Sequence, residues 1–213
     1  LVRPILAPYG KIGKLDILNA DTPAEIIALT NFSEKVRYEC RWDRLILLLE
    51  GQKTNIFDSN GPFLYFDEIL NQIKASPSFG KIENLVFAIY KLRIYDLDFK
   101  NVNERLQKKY LSENKLEDRE RIGEEDFAII HNYGTENDRA LRFHFGPFRY
   151  ESDNKNYALF PISQGDKEYR EKNGILYEAI YFKKTDEYIS GNVRAINLLV
   201  NNYIEQITIE DKS

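Results

Sequence analysis

The stretch Glu83–Lys100, ENLVFAIYKLRIYDLDFK, is the longest apolar-rich run of the chain and lies near its middle. From Tyr90 to Ile94 the residues alternate, with Tyr90, Leu92 and Ile94 on one side and Lys91 and Arg93 on the other. A period of two predicts a β-strand with one buried face. After Ile94 the parity reverses: Tyr95, Leu97 and Phe99 are apolar, while Asp96, Asp98 and Lys100 are polar. A continuous strand cannot keep its apolar side inward across such a reversal, so the pattern predicts a β-bulge near Ile94–Asp96. The bulged strand would set Asp96, Asp98 and Lys100 in a row on one face, neighbours roughly 7 Å apart by strand rise. Two carboxylates and an ammonium in line suit a metal site, with Asp96 and Asp98 as ligands of a divalent cation and Lys100 polarising a phosphate. The competing reading is a solvated strand face on which Lys100 offsets the carboxylate repulsion.

Beyond this stretch, the whole chain of 213 residues has room for one good core or two small ones. Its aromatic content, 14 Tyr and 13 Phe, suits strands and binding surfaces. The formal net charge of −4 provides no global basic field, so nucleic acid is not indicated as a partner by overall charge. The single cysteine, Cys40, cannot form an intramolecular disulfide, which fits a reducing compartment and hence a cytoplasmic location. No run approaches the ~18 apolar residues of a membrane span, and the first residues do not read as a signal peptide. The sequence starts at Leu1 and contains no Met, so Leu1 is not expected to be the native start.

Residues 1–13 hold Pro4 and Pro8, which block regular ladders, and read as an extended arm suited to lie along a partner or a second subunit. Lys14–Leu18 reads as a short strand. Thr22-Pro23-Ala24-Glu25 has the form of a capping box with Pro at the first helical position, and predicts a short helix to about Thr30. Lys35–Asp43 alternates, placing Val36, Tyr38, Cys40 and Trp42 inward and Arg37, Glu39, Arg41 and Asp43 outward. Cys40 is then a small core residue rather than a nucleophile. Leu45–Leu49 reads as a buried strand. A turn at Asp58–Pro62 precedes a helix striped by Phe66, Ile69, Leu70 and Ile73, and a helix striped by Val102, Leu106 and Tyr110 follows the central stretch.

Residues 113–126 are a charge run whose net −4 equals that of the whole chain. It marks the expected boundary between an N-terminal α+β half, 1–112, and a C-terminal β-meander plus helix, 127–213, unless the two form one continuous domain. In the second half, Phe127–Tyr133 and Arg139–Glu151 form a hairpin, with a second bulge or bend after Gly146-Pro147. Tyr157–Ile162 reads as a shorter edge strand, and Gly174–Lys184 as a strand with Leu176, Glu178, Ile180 and Phe182 on one side. A final helix, 192–206, is striped by Val193, Ile196, Leu199, Val200 and Tyr203. The expected class is therefore α+β: mostly antiparallel twisted sheet with about four helices packed on one face.

Chemistry-bearing residues are few. His131 and His144 share a hairpin. If Tyr133 lies opposite Arg139 or Leu141 the two imidazoles face opposite ways; only with Tyr133 opposite Ala140 could they share a metal. Asp98-Phe99-Lys100 resembles, in three residues only, the carboxylate-x-lysine pattern on a strand of one large nuclease class. That resemblance implies a further acid from a neighbouring element, for which Asp58 or Asp67 could serve. Glu178, set among apolar neighbours, is either a general acid or a structural carboxylate paired with a base.

The function expected from this inventory is a non-catalytic binding or assembly protein with a protein partner or self-association, no membrane and no cofactor. Two alternatives stand beside it. One is a metal-dependent phosphodiesterase or nuclease using Asp96, Asp98, Lys100 and a divalent cation. The other is a small-molecule binder with Tyr90, Tyr177 and Tyr181 lining a pocket.

Overall fold

A computed structural model describes residues 3–51, 56–110, 127–133, 139–157, 159–160, 162–163, 169–185 and 190–207. The chain divides into two units. One comprises Leu1–Lys81 with Phe160–Asp166, the other Ile82–Leu159 with Lys167–Ser213. Both contain a four-stranded antiparallel sheet and helices, so the composition is α+β. The charge run 113–126 lies outside the described residues, and the strands before and after it belong to one sheet.

In the first unit β1 (Lys14–Leu18), β2 (Ile26–Asn31), β3 (Val36–Cys40) and β4 (Leu45–Leu49) form a meander in chain order. Registry sets Leu15, Leu29, Tyr38 and Leu47 side by side, and Ile17, Ile27, Cys40 and Leu45 in the next row. This face packs with α1 (Arg3–Leu6), a 3-10 turn (Ala7–Lys11) and α2 (Pro62–Lys74), whose Leu6, Tyr9 and Ile69 are buried in the same cluster. Burial of apolar side chains such as Ile69 contributes about 2 to 3 kcal/mol each.

Three sequence expectations change here. Arg3–Lys11 are not part of an extended arm but short helical turns that bury Leu6 and Tyr9 in the core. Proline has no amide hydrogen to offer a ladder, yet its fixed φ suits the opening turn of a helix, and one occupies that place in the 3-10 segment. The Tyr9 hydroxyl donates to Glu68 Oε2 (3.2 Å) and accepts from Gln72 Nε2 (2.9 Å), tying this turn to α2.

The capping-box residues also do not start a helix; the stretch to Asn31 is strand β2. A helix of so few residues is marginal by itself, whereas β2 gains ladders on both edges and buries Ile27 and Leu29. The same polar groups close a turn instead: the Thr22 hydroxyl donates to Asn19 O (2.7 Å), and Glu25 Oε2 accepts the Asp21 amide (2.8 Å). Finally, β3 ends at Cys40. Trp42 lies beyond it at the tip of the β3–β4 hairpin, 84% exposed, and β4 is a half-buried edge strand rather than an interior one.

In the second unit β5 (Asn84–Tyr95), β8 (Asn173–Lys184), β7 (Arg139–Pro147) and β6 (Ile129–Tyr133) lie in that spatial order, all antiparallel. α3 (Phe99–Tyr110), α4 (Tyr150–Tyr157) and α5 (Ser190–Ile207) complete it. The β5–β8 register runs unbroken from Asn84↔Lys184 to Tyr95↔Asn173, so there is no bulge. The core takes Phe143 and Phe145 of β7 and Ile175, Tyr177 and Ala179 of β8. Against them lie Val102 and Leu106 of α3 and Ile196, Val200 and Ile204 of α5. Phe87, Ile89 and Tyr95 of β5 belong to this side, so its odd-numbered positions face the core and Tyr90, Leu92 and Ile94 face away. β7 stops at Pro147, and the residues after it turn into α4 rather than a continued strand; no strand occupies 157–162 among the described residues.

Candidate functional site

The ladder of the second sheet sorts its polar residues onto two faces. On the helix side, His131 is paired with Phe143 in the ladder, and its Nδ1 lies 2.6 Å from the Tyr203 hydroxyl of α5. Tyr203 stacks on Phe143 at 3.9 Å between ring centroids, and Phe145 stacks on Tyr177 at 5.7 Å. This aromatic set is half-buried or buried and joins α5 to the sheet.

The opposite face is different. Registry aligns Tyr90, Glu178, His144 and Ile130 in one row across all four strands. The adjoining rows are Ala88, Ile180, Arg142 and Asn132, then Val86, Phe182 and Ala140. Glu178 is 5% exposed, and its Oε2 lies 3.5 Å from Nδ1 of His144. Around this pair Val86 is 61% exposed, Ile130 53% and Tyr90 39%. An antiparallel sheet face turned only to water carries polar side chains; this one is mainly aliphatic and aromatic with one buried carboxylate.

Tyr133 pairs with Leu141, so the two histidines point to opposite faces and do not converge. Asp96, Asp98 and Lys100 do not form a row on a strand. β5 ends at Tyr95, Asp96 and Asp98 lie in the connection to α3, and Lys100 sits in the first turn of that helix; all three are exposed. Asp98 Oδ1 accepts the Asn101 amide at 2.8 Å, and its carbonyl accepts the Val102 amide at 3.1 Å, so it caps α3. Tyr177 and Tyr181 belong to the helix side while Tyr90 lies on the other, so these three do not line one pocket. Cys40 is 2% exposed, and burial, with the Glu39 charge beside it, pushes its thiol up to about 12. Among the described residues no three His, Cys, Asp or Glu side chains are grouped to hold a metal ion, and no helix is long and apolar enough to cross a membrane.

Two buried carboxylates of the first unit escape the alternation pattern. Glu39, on the face of β3 away from the helices, takes Arg37 Nη2 at 3.2 Å on Oε2 and Arg41 Nε at 2.7 Å on Oε1. The i−2, i+2 arginines on one strand face are the sequence signal for such a trio. Glu50 follows β4, and its Oε2 accepts the amides of Ile162 and Ser163, each at 3.0 Å. No local spacing announces that contact, because its partners are more than a hundred residues away in the chain. Burial pushes the Glu50 carboxyl up. The Ser163 hydroxyl, the amides of Ser163 and Ile162 and the Lys35 ammonium together outweigh it, and the pKa falls below the usual value. Comparison of the chain with protein-family models, curated proteins and solved structures finds no match.

Proposed function

We propose that this chain is a non-catalytic binding protein that holds a protein partner against the open face of its second sheet. The supporting observation is the exposure of Val86, Tyr90 and Ile130 on the face opposite α3 and α5, around the Glu178–His144 pair. Such a surface offers aliphatic contacts and an aromatic side chain with a polar tip, the composition of a protein interface centre. On this reading the chain works in the cytoplasm, where its single buried thiol stays reduced.

The test uses photo-crosslinking side chains placed at position 86 or 130, with a control at the exposed Arg194 of α5, which packs on the other side of the sheet. The expected result is one protein joined to 86 and 130 and absent from the control. Titration of that purified protein should then give at least tenfold weaker binding to a Val86→Glu, Ile130→Glu double variant. Equal labelling at the control position, or equal affinity for the double variant, would overturn the reading.

A further inference from the structure

The four sheet edges of the described chain are not alike. β1 carries Lys14 and Asp16, β5 carries Lys91 and Arg93 on its core side, and β6 carries His131 and Asn132. The charges on β1 and β5 discourage edge-to-edge pairing, and β6, though uncharged, carries polar side chains. β4 is Leu45-Ile46-Leu47-Leu48-Leu49, aliphatic throughout, with no charge and no proline.

Two hydrogen bonds fix which way its backbone groups point. The Arg41 amide donates to Arg44 O (2.9 Å), and the Glu50 amide donates to Lys35 O (3.0 Å). Both lie in phase with the β3–β4 register. Residues 44, 46, 48 and 50 therefore direct their N–H and C=O toward β3, and Leu45, Leu47 and Leu49 direct theirs outward. Among the described residues no hydrogen bond uses those outward groups.

We propose that β4 pairs antiparallel with β4 of a second copy of this chain, about a two-fold axis at Leu47. Leu45 then meets Leu49 of the second copy, Leu47 meets Leu47, and every outward N–H faces an outward C=O. Same-parity pairing keeps the core-side leucines of both copies on one face. The ends match as well, because Arg44 comes opposite Glu50. The Arg44 side chain is exposed, and among the described residues its hydrogen bonds go to its neighbour Asp43. Glu50 is 7% exposed and already held by the Ile162 and Ser163 amides and by Lys35, so the ends match in charge sign rather than through a direct bond. A strand that begins with a cation, ends with an anion and is uniformly aliphatic between is its own antiparallel complement. This pairing is independent of the partner proposed for the second sheet.

The test is sedimentation of the full chain from low micromolar to about 100 µM, with amide exchange followed at Leu45, Leu47 and Leu49. Wild type is expected at twice the 25.0 kDa chain mass, with those amides slow to exchange. Leu47→Pro removes only an outward amide, so it spares the internal ladder and should give a monomer with an unchanged circular dichroism spectrum. Arg44→Glu, at an exposed side chain, sets like charges opposite one another and should weaken the dimer at least tenfold; it decides the matter if the proline variant fails to fold. Val86→Glu, Ile130→Glu should leave the mass unchanged. A monomer at every concentration, a dimer whose three amides exchange fast, or an Arg44→Glu variant that dimerises as wild type does would each overturn the pairing.

Discussion

Replacing Glu50 by alanine isolates what holds Ile162 and Ser163 in the first unit. The carboxylate accepts both amides at 3.0 Å. Hydrogen bonds to a charged acceptor contribute about 1.5 to 3 kcal/mol each, and a buried donor left unpaired loses its full desolvation energy. The two amides differ in their access to water. Ser163 is exposed and its N–H can turn to solvent, whereas Ile162 is 5% exposed and its N–H cannot. Lys35, with a side chain 43% exposed, returns to solvent at little cost. The net loss is then about 2 to 3 kcal/mol, confined to this segment. At about 1.4 kcal/mol per tenfold, the Ile162 amide should exchange about 30- to 140-fold faster.

Hydrogen exchange read by NMR gives that factor directly, with the amides of β2 and β3 as internal controls. Acid should reproduce the effect in wild type. The folded pKa of Glu50 is depressed, so its contribution is complete above the ordinary carboxylate range near ~4.3 and is lost as pH falls below that range. Glu50→Gln should abolish that pH dependence at Ile162. Unchanged protection of Ile162 in Glu50→Ala would defeat this account, since the amide would then be held by something other than the carboxylate.

Other consequences can be measured by standard means. Gly174→Ala would bring a Cβ to 2.1 Å from Arg93 O across the β5–β8 ladder, so urea unfolding should show a loss of about 3 kcal/mol or more; a loss under about 1 kcal/mol would mean the strands part easily here. Asp98→Ala should cost about 1 kcal/mol through the lost α3 cap, by the same amount with and without millimolar Mg²⁺; a loss that grows with Mg²⁺ would return Asp98 to the role of a metal ligand. Native protein at about pH 8 should resist iodoacetamide at Cys40, whose thiol is pushed up to about 12, and react only as denaturant unfolds the first unit; rapid labelling without denaturant would contradict its burial.

The central stretch shows where reading the chain residue by residue succeeds and where it fails. That it is a strand follows from local alternation. Which of its faces meets the core does not. β5 is an edge strand, and positions on the core face of an edge reach past the helices to water. Long side chains can sit there with their charged ends at the surface, which is why Lys91 and Arg93 occupy that face, Lys91 ion-paired with Glu205 of α5 and Arg93 over the Tyr95 ring. Taken as outward-facing, these two residues create an apparent parity reversal at Ile94. In the ladder Phe87, Ile89 and Tyr95 are in phase throughout, and the row of Asp96, Asp98 and Lys100 dissolves into a helix start.

Elements with a strong period were legible in the chain alone. These include strand β5, the helices striped by Ile69, Val102 and Val200, the burial of Cys40, and the α+β class. Periodicity is local and survives without knowledge of neighbours. Everything else came from tertiary packing. It chose strand over helix after Thr22, because ladders on two edges outweigh a cap. It set Tyr133 opposite Leu141, and with that one register sent the two histidines to different faces. It put Glu178 beside His144, and Glu50 against Ile162 and Ser163. It also left β4 at an edge with its amides turned outward. Each of these depends on which strand lies beside which, and that is fixed by burial summed over distant segments rather than by any residue's neighbours in the chain.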